Sequence, residues 1–211
     1  MKRYFVALTL SITLLGILVS SAQAQVGRGK FGLGLSLSGN TLQSDWRTND
    51  LGFGGSADIS YSFGYNWGVV SALGIDQFQG VNNLNQNVVS TVFRATLALS
   101  YEFLPDNPMN PFVFVGGGWM LYTPRVVDGG GLISGRYPPY DLLAFGGVGV
   151  DYYVSESWSI IVRGGAGMMG TDAADGSTTG SNDLFGHVSV GIRYYLFDRS
   201  TVEKIVDSVR R

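Results

Sequence analysis

The chain has 211 residues, only 14% of them charged, and 14 Lys and Arg against 16 Asp and Glu leave a net charge of −2. No basic surplus exists to hold nucleic acid, and the absence of cysteine excludes a disulfide framework and thiol chemistry. The chain is 45% hydrophobic with 31 glycines, yet after the first residues no apolar run is long enough for a helix to cross a bilayer.

Those first residues read as a targeting segment. Lys2 and Arg3 form a basic start, 5–19 is an apolar run, and Ala22-Gln23-Ala24 is a small-x-small cleavage pattern. Together they predict a signal peptide over 1–24, cut after Ala24, since the run is short for a membrane helix. Its removal takes two of the 14 bases, so 12 face 16 acids and the formal charge becomes −4. The rest suits one domain over 25–197 followed by a tail, 198–211.

Within that domain the pattern has period two. From Val89 to Phe103 the odd positions are Val, Thr, Phe, Ala, Leu, Leu, Tyr and Phe, while Ser90, Arg94, Ser100 and Glu102 stand on the other face. Eight such strands are expected, near 30–38, 51–63, 67–78, 88–103, 111–123, 140–154, 158–169 and 183–197. The connections alternate. Gly64-Tyr65-Asn66, Ser155-Glu156-Ser157 and the proline-bearing 104–110 are short, whereas those near 40–50, 79–87, 124–139 and 170–182 are long and rich in Gly, Asn, Asp and Ser. One apolar face, one polar face and alternating turn lengths predict an all-β fold: an eight-stranded antiparallel transmembrane up-and-down barrel, apolar towards lipid. Open strand edges have no partners in lipid, so such a sheet must close. A soluble ligand-binding barrel would need the Phe93, Leu97 and Leu99 face turned inward.

Aromatics gather at the short-turn ends: Tyr61, Phe63, Trp67, Tyr101, Phe103, Tyr152, Trp158 and Tyr194. They are expected to form a girdle at one water interface, with Phe53, Phe93 and Tyr140 nearer the other. Parity sends Asp58, Asp76, Arg94, Glu102, Asp151, Arg163 and Arg193 into the lumen. Charges in a dry lumen should pair. Equal heights above the short turns predict Asp76 with Arg94 and Asp151 with Arg163, with Asp58 and Glu102 reaching across. A barrel of eight strands is just wide enough for its own side chains, so a filled polar core is expected. The alternative is a narrow pore for ions or slim solutes, using volume left by inward Gly147, Gly149, Gly165, Gly167 and Gly191. Strand five, apolar on both faces, leaves its parity open.

Phe145-Gly146-Gly147-Val148-Gly149-Val150-Asp151-Tyr152, Val188-Ser189-Val190-Gly191-Ile192-Arg193-Tyr194 and Pro111-Phe112-Val113-Phe114-Val115-Gly116-Gly117-Gly118 resemble strands of the small eight-stranded outer-membrane β-barrel family, of the OmpA/OmpX type. The resemblance covers nearly the whole mature chain. It implies an outer-membrane location in a Gram-negative-type envelope, assembly by the barrel assembly machinery, a monomer in lipid, and roles such as envelope support, adhesion or resistance. One departure is that Phe197 is followed by 198–211, where such barrels usually end on an aromatic.

Catalysis has one candidate constellation, His187-Val188-Ser189. A serine nucleophile needs a neighbouring base and that base an orienting acid. Barrels that deacylate lipid A carry His, Ser and a later Glu, but here parity puts both residues inside the lumen, away from lipid chains. Asp172, Asp175 and Asp183 do not match a calcium-loop spacing. No cofactor, metal or catalytic set is therefore expected, and the function is read as a non-enzymatic barrel that supports the envelope or presents loops to an outside ligand. In the tail, Ser200 with Glu203 fits a capping box, and Val202, Ile205, Val206 and Val209 form one helical stripe. A short periplasmic helix is expected there.

Overall fold

The computed structural model describes residues 30–43, 48–81, 85–127, 140–155, 157–170 and 183–196. The expected leader, 1–24, and the tail helix over 198–211 lie outside the described residues. Nine strands are present among them: β1 (Phe31–Gln43), β2 (Thr48–Asp50), β3 (Gly52–Ser62), β4 (Trp67–Val81), β5 (Asn87–Glu102), β6 (Met109–Val126), β7 (Tyr140–Tyr153), β8 (Trp158–Met169) and β9 (Leu184–Tyr195). β2 continues the line of β3 past Leu51, so the wall has eight members.

β1 pairs antiparallel with β3, β2 and β3 both pair with β4, each later strand pairs with the next, and β1 pairs with β9 from Gly32↔Tyr195 to Gln43↔Leu184. The sheet thus closes on itself, which leaves no free edge around the wall. Short turns are tied at one rim. The Phe63 amide donates to the Trp67 carbonyl at 3.1 Å and the Val154 amide to the Trp158 carbonyl at 2.9 Å. Tyr65 Oη donates to Asp106 of the next turn, joining two of these turns.

Wall height differs around the ring. β4 and β6 run past their expected ends at the long connections, to Val81 and Val126, whereas the β6–β7 pairing begins only at Leu121↔Tyr140. Pro124 belongs to β6 for that reason. It lies above the reach of β7, where a proline without an N–H is tolerated.

The outer surface carries a band of exposed large apolar side chains, among them Leu35, Leu37, Ile59, Leu73, Leu97, Val115, Val162 and Val190. Towards the long connections it turns polar at Gln77, Gln79, Thr91, Thr123 and Arg125. Strand five of the sequence reading resolves as β6, with Phe112, Phe114, Met120 and Tyr122 inward and Val113, Val115, Trp119 and Leu121 outward.

Candidate functional site

The lumen is where the buried chemistry lies. Its organising device is a charged side chain that passes over a neighbouring strand wherever that strand places glycine or serine in register. Gly34 of β1 is in register with Asp58 on one side and with Arg193 on the other. With no side chain between them, Arg193 Nη2 and Asp58 Oδ1 meet at 2.8 Å. A Cβ on Gly34 would stand 2.6 Å from Asp58 Oδ2. Arg163 reaches across β9 to donate to Ser36 Oγ at 2.8 Å and to Asp58 Oδ2 at 3.2 Å. Asp151 is bound across β8, over Ser159, by Tyr195 Oη at 2.7 Å and Arg193 Nη1 at 3.3 Å.

The expected pairing of Asp151 with Arg163 does not form. Asp151 is in register with Ile161, and Arg163 sits opposite Gly149, one inward position further from the short turns. Arg163 therefore turns to Asp58. Asp76 and Arg94 do meet, Oδ2 to Nε at 2.6 Å. Asp76 also crosses β3 at Gly54 to accept from Asn40 Nδ2 at 2.6 Å and Ser38 Oγ at 3.2 Å. Among the described residues Glu102 pairs with no arginine; its carboxylate accepts from Asn110 Nδ2 at 2.8 Å.

Above this network the inward positions turn apolar. Leu42, Phe78, Val88, Val92, Met120, Tyr122, Leu143, Met169 and Phe185 form one buried cluster across the lumen near the long connections. At the opposite mouth Lys30 Nζ lies 4.3 Å from the Tyr153 ring centre, which itself stands 5.6 Å from that of Tyr195. Neighbouring side chains take up the space beside the inward glycines. A Cβ at Gly147 would come within 2.7 Å of the Phe114 ring, and one at Gly167 within 2.9 Å of both Phe185 and Leu143. Gly149 faces the Phe112 ring, Gly165 faces His187, and Gly191 faces Ser36. A narrow cavity of about 60 Å³ remains, running between Arg94 and His187 at its upper end and Glu102 and Asp151 below. It has room for a few waters.

His187 and Ser189 both point inward and are buried, with no hydrogen bond between them. The imidazole instead stacks on Phe185, ring centres 5.3 Å apart and planes 8° from parallel. A Ser-His pair without contact and without an acid on the imidazole offers no activated nucleophile. Among the described residues no group of three His, Asp or Glu side chains converges to hold a metal ion.

On the outside, Phe63, Trp67, Phe103, Tyr152, Trp158 and Tyr194 are exposed at the short-turn rim, and Tyr61 and Tyr101 stand beside them, half-buried. Trp67 meets Tyr101 edge-on at 4.9 Å, Tyr101 meets Phe103 at 5.3 Å, and Trp158 lies 4.9 Å from Tyr194.

Sequence reasoning missed the apolar cluster and the Lys30, Asn110, Tyr153 and Tyr195 mouth. The signal was present in the parity. Following β4 inward from Gly74 through Asp76 gives Phe78, and β5 from Arg94 gives Val92 and Val88. Leu42 alone of the cluster lies beyond an expected strand end; the other members fall within the expected strands, where only the charged inward positions stand out by type.

Comparison with known proteins gives one family and a set of similar structures. The outer membrane protein β-barrel domain model matches residues 10–195. No curated protein matches the sequence. Neisserial surface protein A superimposes with a TM-score of 0.56 at 16% identity, covering 78% of this chain and 96% of that one. Ail, the attachment invasion locus protein of Yersinia pestis, in complex with the heparin analogue sucrose octasulfate, gives 0.52 at 10%, covering 80% and 99%. A major outer membrane protein from Thermus thermophilus gives 0.52 at 12%, covering 78% and 99%. At these identities the likeness is one of fold.

Proposed function

The chain belongs to the outer membrane protein β-barrel domain family, and from that premise we propose that it is a non-enzymatic barrel whose lumen is closed and whose work is done at its outer rim. The observation that carries this reading is the occupancy of the lumen at three levels. Lys30, Tyr153 and Tyr195 cover the periplasmic mouth, ion pairs span the middle, and the Phe78–Phe185 cluster caps the outer end. A solute would have to break buried pairs and displace a packed apolar layer. What remains available to partners is the polar extension of β4, β5 and β6 and the long connections. Loops on a rigid scaffold are the usual place for recognition. In this reading the Tyr61 to Tyr194 aromatic set lies at the periplasmic headgroup level and the lumen charges hold the wall in register.

Two measurements test the reading. Lipid A from cells expressing the protein, analysed by mass spectrometry, should be identical to that of cells carrying His187→Ala; an acylation change that depends on His187 refutes the non-enzymatic assignment. Transfer of the four long connections onto an unrelated inert eight-stranded barrel should transfer any surface phenotype. A phenotype that stays with the wall instead would refute the rim assignment.

A further inference from the structure

We propose that the upper end of the lumen cavity is a binding site for a small monovalent inorganic anion of halide size, held by Arg94, Arg163 and His187. All three side chains line that cavity. The imidazole is more than nine-tenths buried, and its Nδ1 has no hydrogen-bond partner. A buried polar atom without a partner keeps its desolvation cost uncompensated, so native structures rarely leave one.

The two guanidiniums add spare donors at the same place. Arg94 engages Asp76 through Nε, and Arg163 engages Asp58 and Ser36 through Nη2 alone. Among the described residues their other N–H groups have no protein acceptor, and the small residual exposure of each side chain, 12% and 13%, opens into the lumen. A guanidinium carries five donors in a fixed fork and no acceptor. A protonated imidazole nitrogen adds a further donor, so the three groups lining this one cavity can all donate to one acceptor. A monatomic anion accepts from every direction, whereas a water accepts from about two donors and must then place its own hydrogens.

Size and surroundings narrow the class. A narrow cavity of about 60 Å³, with room for a few waters, suits a small inorganic ion rather than a whole lipid headgroup. Glu102 and Asp151 line the lower end of the same cavity, where each already has its own donors, Asn110 for one and Arg193 and Tyr195 for the other. Their charge keeps an anion out of the lower half. The Phe185 ring, stacked on His187 and 5.9 Å from the Arg94 guanidinium carbon, closes the site from above. The arginines are neutralised by Asp76 and Asp58, so the site holds its ion through spare N–H groups rather than surplus charge and suits one negative charge at most.

The test uses the full mature chain refolded in sodium bromide and crystallised. Anomalous diffraction should show one bromide within hydrogen-bond distance of Arg94, Arg163 and His187 nitrogens. Ordered waters there, or bromide confined to the outer surface, would overturn the proposal. In a second arm, bromide replaces gluconate at constant ionic strength. The unfolding midpoint should rise to saturation for the wild type, and His187→Phe, which keeps a ring against Phe185, should need at least fivefold more bromide. An identical bromide dependence in the two proteins, or none in the wild type, would overturn it. Diffraction of the wild type decides the matter if the variant does not fold.

Discussion

Asp58 is the lumen acid that holds two arginines, and replacing it by asparagine isolates the contribution of charge from that of shape. Its side chain is fully buried, and its carboxylate accepts from Arg193 Nη2 at 2.8 Å, Arg193 Nε at 3.3 Å and Arg163 Nη2 at 3.2 Å. In Asp58→Asn, Arg163 loses its carboxylate outright and Arg193 keeps only Asp151. Removing one partner of a buried ion pair costs about 3–5 kcal/mol, and one guanidinium left without a carboxylate places the loss in that range. That is a large share of the roughly 5–15 kcal/mol that typically separates folded from unfolded chains. Reversible urea unfolding of the refolded protein in lipid vesicles, followed by tryptophan fluorescence, reads it as a lower midpoint at unchanged slope. Asp106→Asn is the control, because Asp106 is an exposed acid on a turn and its loss should stay within ~0.5 kcal/mol. A loss below about 1 kcal/mol for Asp58→Asn, the range of solvated surface pairs, would refute the reasoning. It would mean that water already fills the lumen around these arginines.

Gly34→Ala places a methyl 2.6–2.8 Å from the Asp58 carboxylate and should cost about 1–3 kcal/mol by the same unfolding assay. Gly39→Ala meets only Leu51 at 3.8 Å and should cost less than about 1 kcal/mol. On the outer face, Leu97→Arg at mid-height of the apolar band should cost about 2–4 kcal/mol in vesicles, while Thr91→Arg, where the surface has turned polar, should cost ~0–1 kcal/mol. Equal costs at these two positions would misplace the bilayer. Phe78→Ala removes a fully buried ring from the apolar cluster and should cost about 3–5 kcal/mol; a stability equal to that of the wild type would show the cluster to be wet.

Period-two patterning made the wall legible because a one-residue slip would turn every side chain of a strand to the wrong face. Leu97 and Arg94 therefore announce opposite faces without any knowledge of their neighbours. The same logic stalled at β6, where Phe112 and Phe114 are as apolar as Val113 and Val115. Only the facing glycines explain the inward rings, since Gly147 and Gly149 of β7 make the room that Phe114 and Phe112 fill. Pairing inside the lumen was harder to read. Height above the turns locates a residue on its own strand, but the partners of Asp58 and Asp151 lie two or more strands away around the wall. That reach depends on which intervening residue lacks a side chain, as at Gly34 and Gly54. Such a rule needs the register of three strands at once.

The central claim is a lumen occupied from the Lys30 mouth to the Phe78–Phe185 cluster. Single-molecule conductance of the purified wild-type protein in planar lipid bilayers tests it most directly. The account predicts no steady current above that of the bare membrane at any moderate applied voltage, in chloride as in bromide. A steady, salt-proportional open current carried by single insertions of the protein would contradict it.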